Sequence, residues 1–117
     1  MKLFPSRVAT VSPADASAAH QRKELVLIDV RQPQEWQSGV ASGALLIALS
    51  ELPSRIEDLP QGQPLAFLCR SGHRSSVAAR QARRHGFEVL SVSGGMTAWQ
   101  RAGLPTTAVP RNSRARA

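Results

Sequence analysis

Two stretches of the chain constrain its fold more than any others: Leu25 to Val30, reading LVLIDV, and Leu65 to Leu68, reading LAFL. Neither alternates apolar with polar residues, as a strand with one wet face would. Runs this short and this apolar belong to strands buried on both faces, the situation of a parallel sheet sandwiched between helices. The intervening sequence supplies the helices. Ser12-Pro13 is an N-cap followed by proline in the first turn, with Asp15 near the positive helix end, and predicts a helix to about Arg22. Short helices follow over Pro33 to Ser38 and Leu52 to Leu59. Ser75 to His85 forms another, stopped by Gly86, and Met96 to Ala102 the last, closed by Gly103 and Pro105. Val8 to Val11, Leu45 to Leu49 and Val89 to Val92 complete a set of about five strands. Strands alternate with helices, and parallel strands need such crossovers. The expected fold is therefore an α/β three-layer α/β/α domain with a central, mostly parallel sheet.

One domain accounts for the 117 residues. Residues 1–7 read as an N-terminal tail, 8–107 as the domain, and 108–117 as a basic tail with the composition of disorder. The formal charge is +7, but Arg111, Arg114 and Arg116 lie in that tail, and the remainder carries +4. Between Leu59 and Phe87 five arginines (70, 74, 80, 83 and 84) meet no acidic residue, a field suited to a small anion or an acidic protein. Arg80, Arg83 and Arg84 fit a solvated helix face. Aromatic residues make up only 4% of the chain and no helix-turn-helix or RNA-binding signature occurs, so nucleic-acid binding is not expected. A single cysteine excludes an internal disulfide and a multi-cysteine zinc site, and the three histidines do not cluster. No apolar run approaches the ~20 residues of a membrane helix. Arg7, Pro13 and Asp15 interrupt what would have to be the apolar part of a signal peptide. A cytoplasmic protein without membrane association, metal or cofactor is expected.

The chemistry concentrates in Leu65 to Ser76, LAFLCRSGHRSS: a strand, Cys69, a polar loop and a helix start. In parallel α/β sheets, sites lie beyond the carboxyl ends of the strands, which is where Cys69 falls. A lone cysteine after an apolar strand is ordinarily a small, inert core residue. The residues that follow argue otherwise, because RSGHRS packs poorly and holds an anion well. The first N–H groups of a helix lack partners within it, and Gly72 lets the loop curl so that successive N–H groups point inward. Arg70 and Arg74 add positive charge. A cysteine in that field ionises more readily than a free thiol, and the thiolate is the nucleophile.

Cys69-Arg70-Ser71-Gly72-His73-Arg74-Ser75 resembles the active-site loop of the rhodanese family of sulfurtransferases. Asp29-Val30-Arg31 with Glu35-Trp36 is similar to the family's early motif. Ser93-Gly94-Gly95 with Trp99 and Gly103-Leu104-Pro105 is similar to its closing one. The resemblance spans residues 8 to 107 and implies a rhodanese-like domain. It also implies that Cys69 takes the outer sulfur of a donor such as thiosulfate, holds it as a persulfide, and yields it to cyanide, a thiol or a sulfur-carrier protein. The N–H groups from Arg70 to Ser75 would stabilise the anionic sulfur, so that Arg70, Ser71, Gly72, His73, Arg74 and Ser75 form the substrate site. Arg70 and Arg74 would bind the donor's anionic end. Asp29 is expected to serve local hydrogen bonding, to backbone or to Arg31. Trp99 should anchor the last helix, and Gly94-Gly95 should make a tight turn near the site. Val40 stands where the family commonly has histidine.

Two rivals remain at this level. One is a cysteine-dependent phosphatase or arsenate reductase; phosphatases resembling this fold place five residues between cysteine and arginine. Here four separate Cys69 from Arg74, and the next residue is Ser75. A non-catalytic rhodanese-like module that only binds partners is the other, although such modules often lack the cysteine that this chain keeps.

Overall fold

A computed structural model describes residues 7–109, and the two expected tails lie almost wholly outside these residues. Five parallel strands form the central sheet: β1 (Thr10–Val11), β2 (Val26–Asp29), β4 (Leu45–Leu46), β5 (Leu65–Leu68) and β6 (Val89–Val92), in the spatial order β1-β6-β5-β2-β4. The two apolar runs, β2 and β5, are adjacent at the centre, paired from Val26–Leu65 to Asp29–Leu68.

The two-residue period of a strand divides each run between two cores. On one face Ile28, Val30, Leu65 and Phe67 join Leu52, Ile56 and the alanines Ala78, Ala79 and Ala82. These come from α3 (Leu52–Arg55), its 3₁₀ continuation Ile56–Asp58, and α4 (His73–Arg84). On the other face Leu25, Leu27, Ala66 and Leu68 pack against Ala16, Met96 and Trp99 of α1 (Pro13–Gln21) and α5 (Gly95–Arg101). The layers are thus those expected. The small α4 face lets that helix lie close on β5 and β6, and this closeness brings its first turn against the end of β5.

Several boundaries differ from the sequence reading. The Ser12 hydroxyl accepts from the Asp15 N–H at 3.1 Å, and α1 stops one residue short of Arg22. Helix α2 (Pro33–Trp36) is a single turn, because the chain turns at Gly39 to enter a strand. Helix α4 begins at His73 rather than Ser75: Gly72, at φ +131°, completes the loop reversal and lets the helix start at once. A two-stranded antiparallel ribbon of β3 (Val40–Ala41) and β7 (Thr106–Thr107) was not foreseen. Val40 is buried there, clustered with Trp36 and Ala48. At this position the chain packs an apolar side chain. Among the described residues no helix is long and apolar enough to cross a membrane, and no acidic, His or Cys group gathers as a metal site.

Candidate active site

Cys69 follows β5 directly and is 1% exposed, with its side chain on the face that packs against α4. The chain then reverses through Arg70, Ser71 and Gly72 and enters α4. The Gly72 N–H donates to Cys69 Sγ at 3.0 Å, and the Ser75 hydroxyl oxygen lies 3.5 Å from the same sulfur. Burial would push this thiol up. The Ser75 hydroxyl and the backbone N–H groups of Ser75, Gly72 and Ser71 outweigh burial and hold it below its ordinary value. Neutral donors of the loop, rather than the arginines, are the principal cause. The arrangement is a cup of N–H and O–H groups around one sulfur, able to stabilise negative charge there.

Two other elements hold the cup in place. The first is α5, whose opening N–H groups donate to the loop's carbonyls: Met96 to Cys69 at 2.8 Å and Thr97 to Arg70 at 3.1 Å. This docking requires Gly95, which sits at φ +55°; a Cβ there would lie 2.3 Å from the Cys69 carbonyl oxygen and 2.7 Å from Arg70 backbone atoms. The expected tight turn of Gly94-Gly95 therefore does more than turn the chain, since it brings backbone into contact with the loop.

The second is α2, through Glu35. Its carboxylate accepts from Arg74 at 2.7 and 3.0 Å and from the Gln32 N–H at 2.9 Å. The Arg74 guanidinium holds the Glu35 carboxyl well below the usual range, at about 2. Beneath this pair lies a second one. Asp29 is fully buried at the end of β2 and binds Arg31 through its backbone N–H at 3.0 Å and its guanidinium at 2.9 to 3.1 Å. Arg31 also donates to the Glu35 carbonyl at 3.3 Å and the Gly39 carbonyl at 2.8 Å. Asp29 thus has the local hydrogen-bonding role expected of it, and Arg31 ties the β2 end to the C-terminal end of α2 and the turn after it.

These contacts redistribute the expected site. Ser71, Gly72 and Ser75 surround the sulfur. Arg74 turns toward Glu35, so the loop cation with no ion pair among the described residues is Arg70, which is exposed. His73 opens α4 and is also exposed. Arg70 borders a polar cleft of about 250 Å³ beside the loop, walled by Arg31 and Glu35 on one side and Thr97 and Gln100 on the other. Four contributors escaped the sequence reading. Glu35 belongs to the early motif with Asp29-Val30-Arg31 and Trp36, but no local signal says which cation it meets. Thr97 and Gln100 reach the cleft because α5 docks on the loop. Ser91, a single polar residue in the apolar strand VLSV, lies 2.7 Å from Ser75. Trp99 is buried, as expected of an anchor, and its indole N–H donates to the Pro105 carbonyl at 2.9 Å.

A buried cysteine at the carboxyl end of a parallel strand, cupped by the amides of a loop that becomes a helix, defines the class of cysteine-loop α/β proteins. Residues 12–102 match the family model described as the rhodanese-like domain, and the chain belongs to that family. A sulfurtransferase of Allochromatium vinosum is 33% identical over 103 residues, covering 84% of this chain and 96% of that protein. YtwF of Bacillus subtilis, provisionally named a sulfurtransferase, is 37% identical over 78 residues, covering 67% of this chain and 76% of its own. The crystal structure of a rhodanese-related protein from Thermoplasma volcanium superposes with a TM-score of 0.80 at 27% identity, covering 86% of this chain and 99% of that one.

Proposed function

We propose that the protein is a sulfurtransferase that carries sulfane sulfur as a persulfide on Cys69. The observation that carries this reading is the cup itself: Gly72 N–H at 3.0 Å from Sγ, with Ser75 and the Ser71 amide turned to the same atom. In the forward half-reaction the Cys69 thiolate attacks the outer sulfur of thiosulfate. A new S–S bond forms to Cys69, the bond within thiosulfate breaks, and its electron pair leaves with sulfite. In the second half-reaction cyanide or a thiolate attacks the outer sulfur of the persulfide, and the Cys69 thiolate departs with its own electron pair. Negative charge stays on sulfur throughout, and the loop's N–H groups stabilise it at each stage. No metal or organic cofactor enters this scheme.

The site supports sulfur over phosphate. Phosphoryl chemistry on a cysteine loop needs an arginine fork turned to the phosphate oxygens, and both terminal nitrogens of Arg74 are engaged by Glu35. Exposed Arg70, at the mouth of the polar cleft, is the arginine suited to steer an anionic donor such as thiosulfate, or an acidic sulfur-carrier protein, toward Cys69.

The test is intact mass after incubation with thiosulfate, for the protein and for Cys69→Ser. A gain of one sulfur, reversed by cyanide and absent from the variant, is expected. Failure with thiosulfate and with every other persulfide donor, the thiol being free and reduced, would leave the reading of a partner-binding module.

A further inference from the structure

Ser91 lies in the middle of β6, hydrogen-bonded through its backbone N–H to the Ala9 carbonyl at 2.9 Å, and is 2% exposed. It is one of five polar or charged residues that are buried among the described residues, and Ser75, fully buried, is another. Their hydroxyl oxygens are 2.7 Å apart. A buried hydroxyl without a partner is costly, so each proton needs an acceptor.

Counting protons assigns the direction. The acceptor in reach of the Ser91 hydroxyl is Ser75 Oγ. If Ser75 donated to Ser91 instead, the Ser91 proton would have no acceptor among these contacts. Ser75 in turn has two acceptors in reach, the Gly72 carbonyl at 3.0 Å and Cys69 Sγ at 3.5 Å. The Gly72 carbonyl already receives the Ser76 hydroxyl at 2.9 Å and the Ser76 N–H at 3.3 Å. It does not depend on the Ser75 proton, which is free to turn to the sulfur when the sulfur is anionic.

We propose that Ser91 is a positioning residue, whose hydroxyl donates to Ser75 Oγ and thereby directs the Ser75 proton onto the Cys69 thiolate. A hydroxyl that accepts a hydrogen bond is a stronger donor, so the pair Ser91–Ser75 stabilises the anion more than Ser75 alone. In the protonated state the thiol donates to Ser75 Oγ, Ser75 donates to Gly72, and Ser91 keeps its place. The charged and titratable groups around the thiol are Arg74, paired with Glu35 of α2, the Asp29–Arg31 pair at the end of β2, and exposed Arg70 and His73. Strand β6 brings no charged residue to it.

The inference rests on the reading of Cys69 as a nucleophile, but its test needs no sulfur donor. The chain has one cysteine and no tyrosine, so the far-ultraviolet absorbance of the thiolate titrates without a phenolate beneath it. Ser91→Ala is expected to raise the Cys69 midpoint by about half a unit to one unit, a shift typical of one weakened hydrogen bond to an anion. Ser75→Ala should raise it further, and the double variant should titrate with Ser75→Ala, since Ser91 acts through Ser75. Ser91→Thr and Ser91→Val have the same shape and suit a strand, so they separate hydroxyl from packing; the Val midpoint should lie above the Thr midpoint. Equal Thr and Val midpoints, or a double-variant shift equal to the sum of the two single shifts, would overturn the proposal. If the titrations follow the proposal while sulfur uptake from thiosulfate fails, only the choice of reaction is lost.

Discussion

Glu35 and Arg74, thirty-nine residues apart in sequence, meet through two parallel hydrogen bonds of 2.7 and 3.0 Å that join α2 to the first turn of α4. The pair turns an arginine that the sequence assigned to the donor into a brace for the loop around Cys69. Two N–H donors on two carboxylate oxygens fix orientation as well as distance.

Removing one side of the brace should loosen the loop. Glu35→Gln is expected to cost about 1–2 kcal/mol of stability by urea denaturation, in the range of a charge-assisted hydrogen bond. It should also lower kcat/KM for sulfur uptake about tenfold. Arg74→Lys, which keeps charge but loses the fork, should resemble it more than it resembles the native protein.

The same pair sets an acid limit. Glu35 falls from its ordinary 4.5 to about 2 on folding. Its folded value is depressed, so its contribution is fully present above 4.5 and is lost as pH falls toward 2. With about a quarter of the side chain exposed, screening reduces this contribution to about 1–2 kcal/mol. Stability measured from pH 6 to pH 2 should fall more steeply in the native protein than in Glu35→Gln.

Gly95 and Gly103 are both at positive φ, +55° and +70°, but only Gly95 has backbone where a Cβ would go. Gly103→Ala should cost about 1–2 kcal/mol, the backbone penalty alone. Gly95→Ala must displace either α5 or the loop, and should cost more than ~3 kcal/mol or leave a folded protein unable to take up sulfur. Denaturation of the two variants side by side checks the difference.

Asp29 and Arg31 are 0% and 4% exposed, and breaking such a pair strands a buried charge. Asp29→Ala is expected to cost about 3–5 kcal/mol, and adding Arg31→Met to it should recover part of that loss. If the double variant is instead the less stable, the bonds from Arg31 to the Glu35 and Gly39 carbonyls outweigh the cost of burying its charge.

The Cys69 thiol is held below its ordinary value chiefly by Ser75 and loop amides working against burial. The rate of sulfur uptake should therefore rise with pH and level off below the range of a free thiol. Ser75→Ala should move that rise upward while leaving the plateau within about tenfold of native. An unmoved profile would assign the lowering to the amides alone.

Much of this molecule follows from the order of its residues. LVLIDV and LAFL can be satisfied only between two layers, and their two-residue period already sends Leu27 and Ile28 to opposite cores, and likewise Phe67 and Leu68. The position of Cys69 at a strand's end, and the glycine that curls the loop after it, are local facts that the sequence carries whole. What the sequence could not determine are contacts between residues far apart in the chain. Val40–Ala41 and Thr106–Thr107 have no strand-like pattern of their own, and they pair because the fold brings them together. The partner of Arg74, the seat of Gly95 on the Cys69 carbonyl, and the 2.7 Å approach of Ser91 to Ser75 depend likewise on how α2, α5 and β6 pack around β5. Local propensity and periodicity act over a few residues, whereas hydrogen-bond partners in a site are chosen by distances that exist only once the layers have closed.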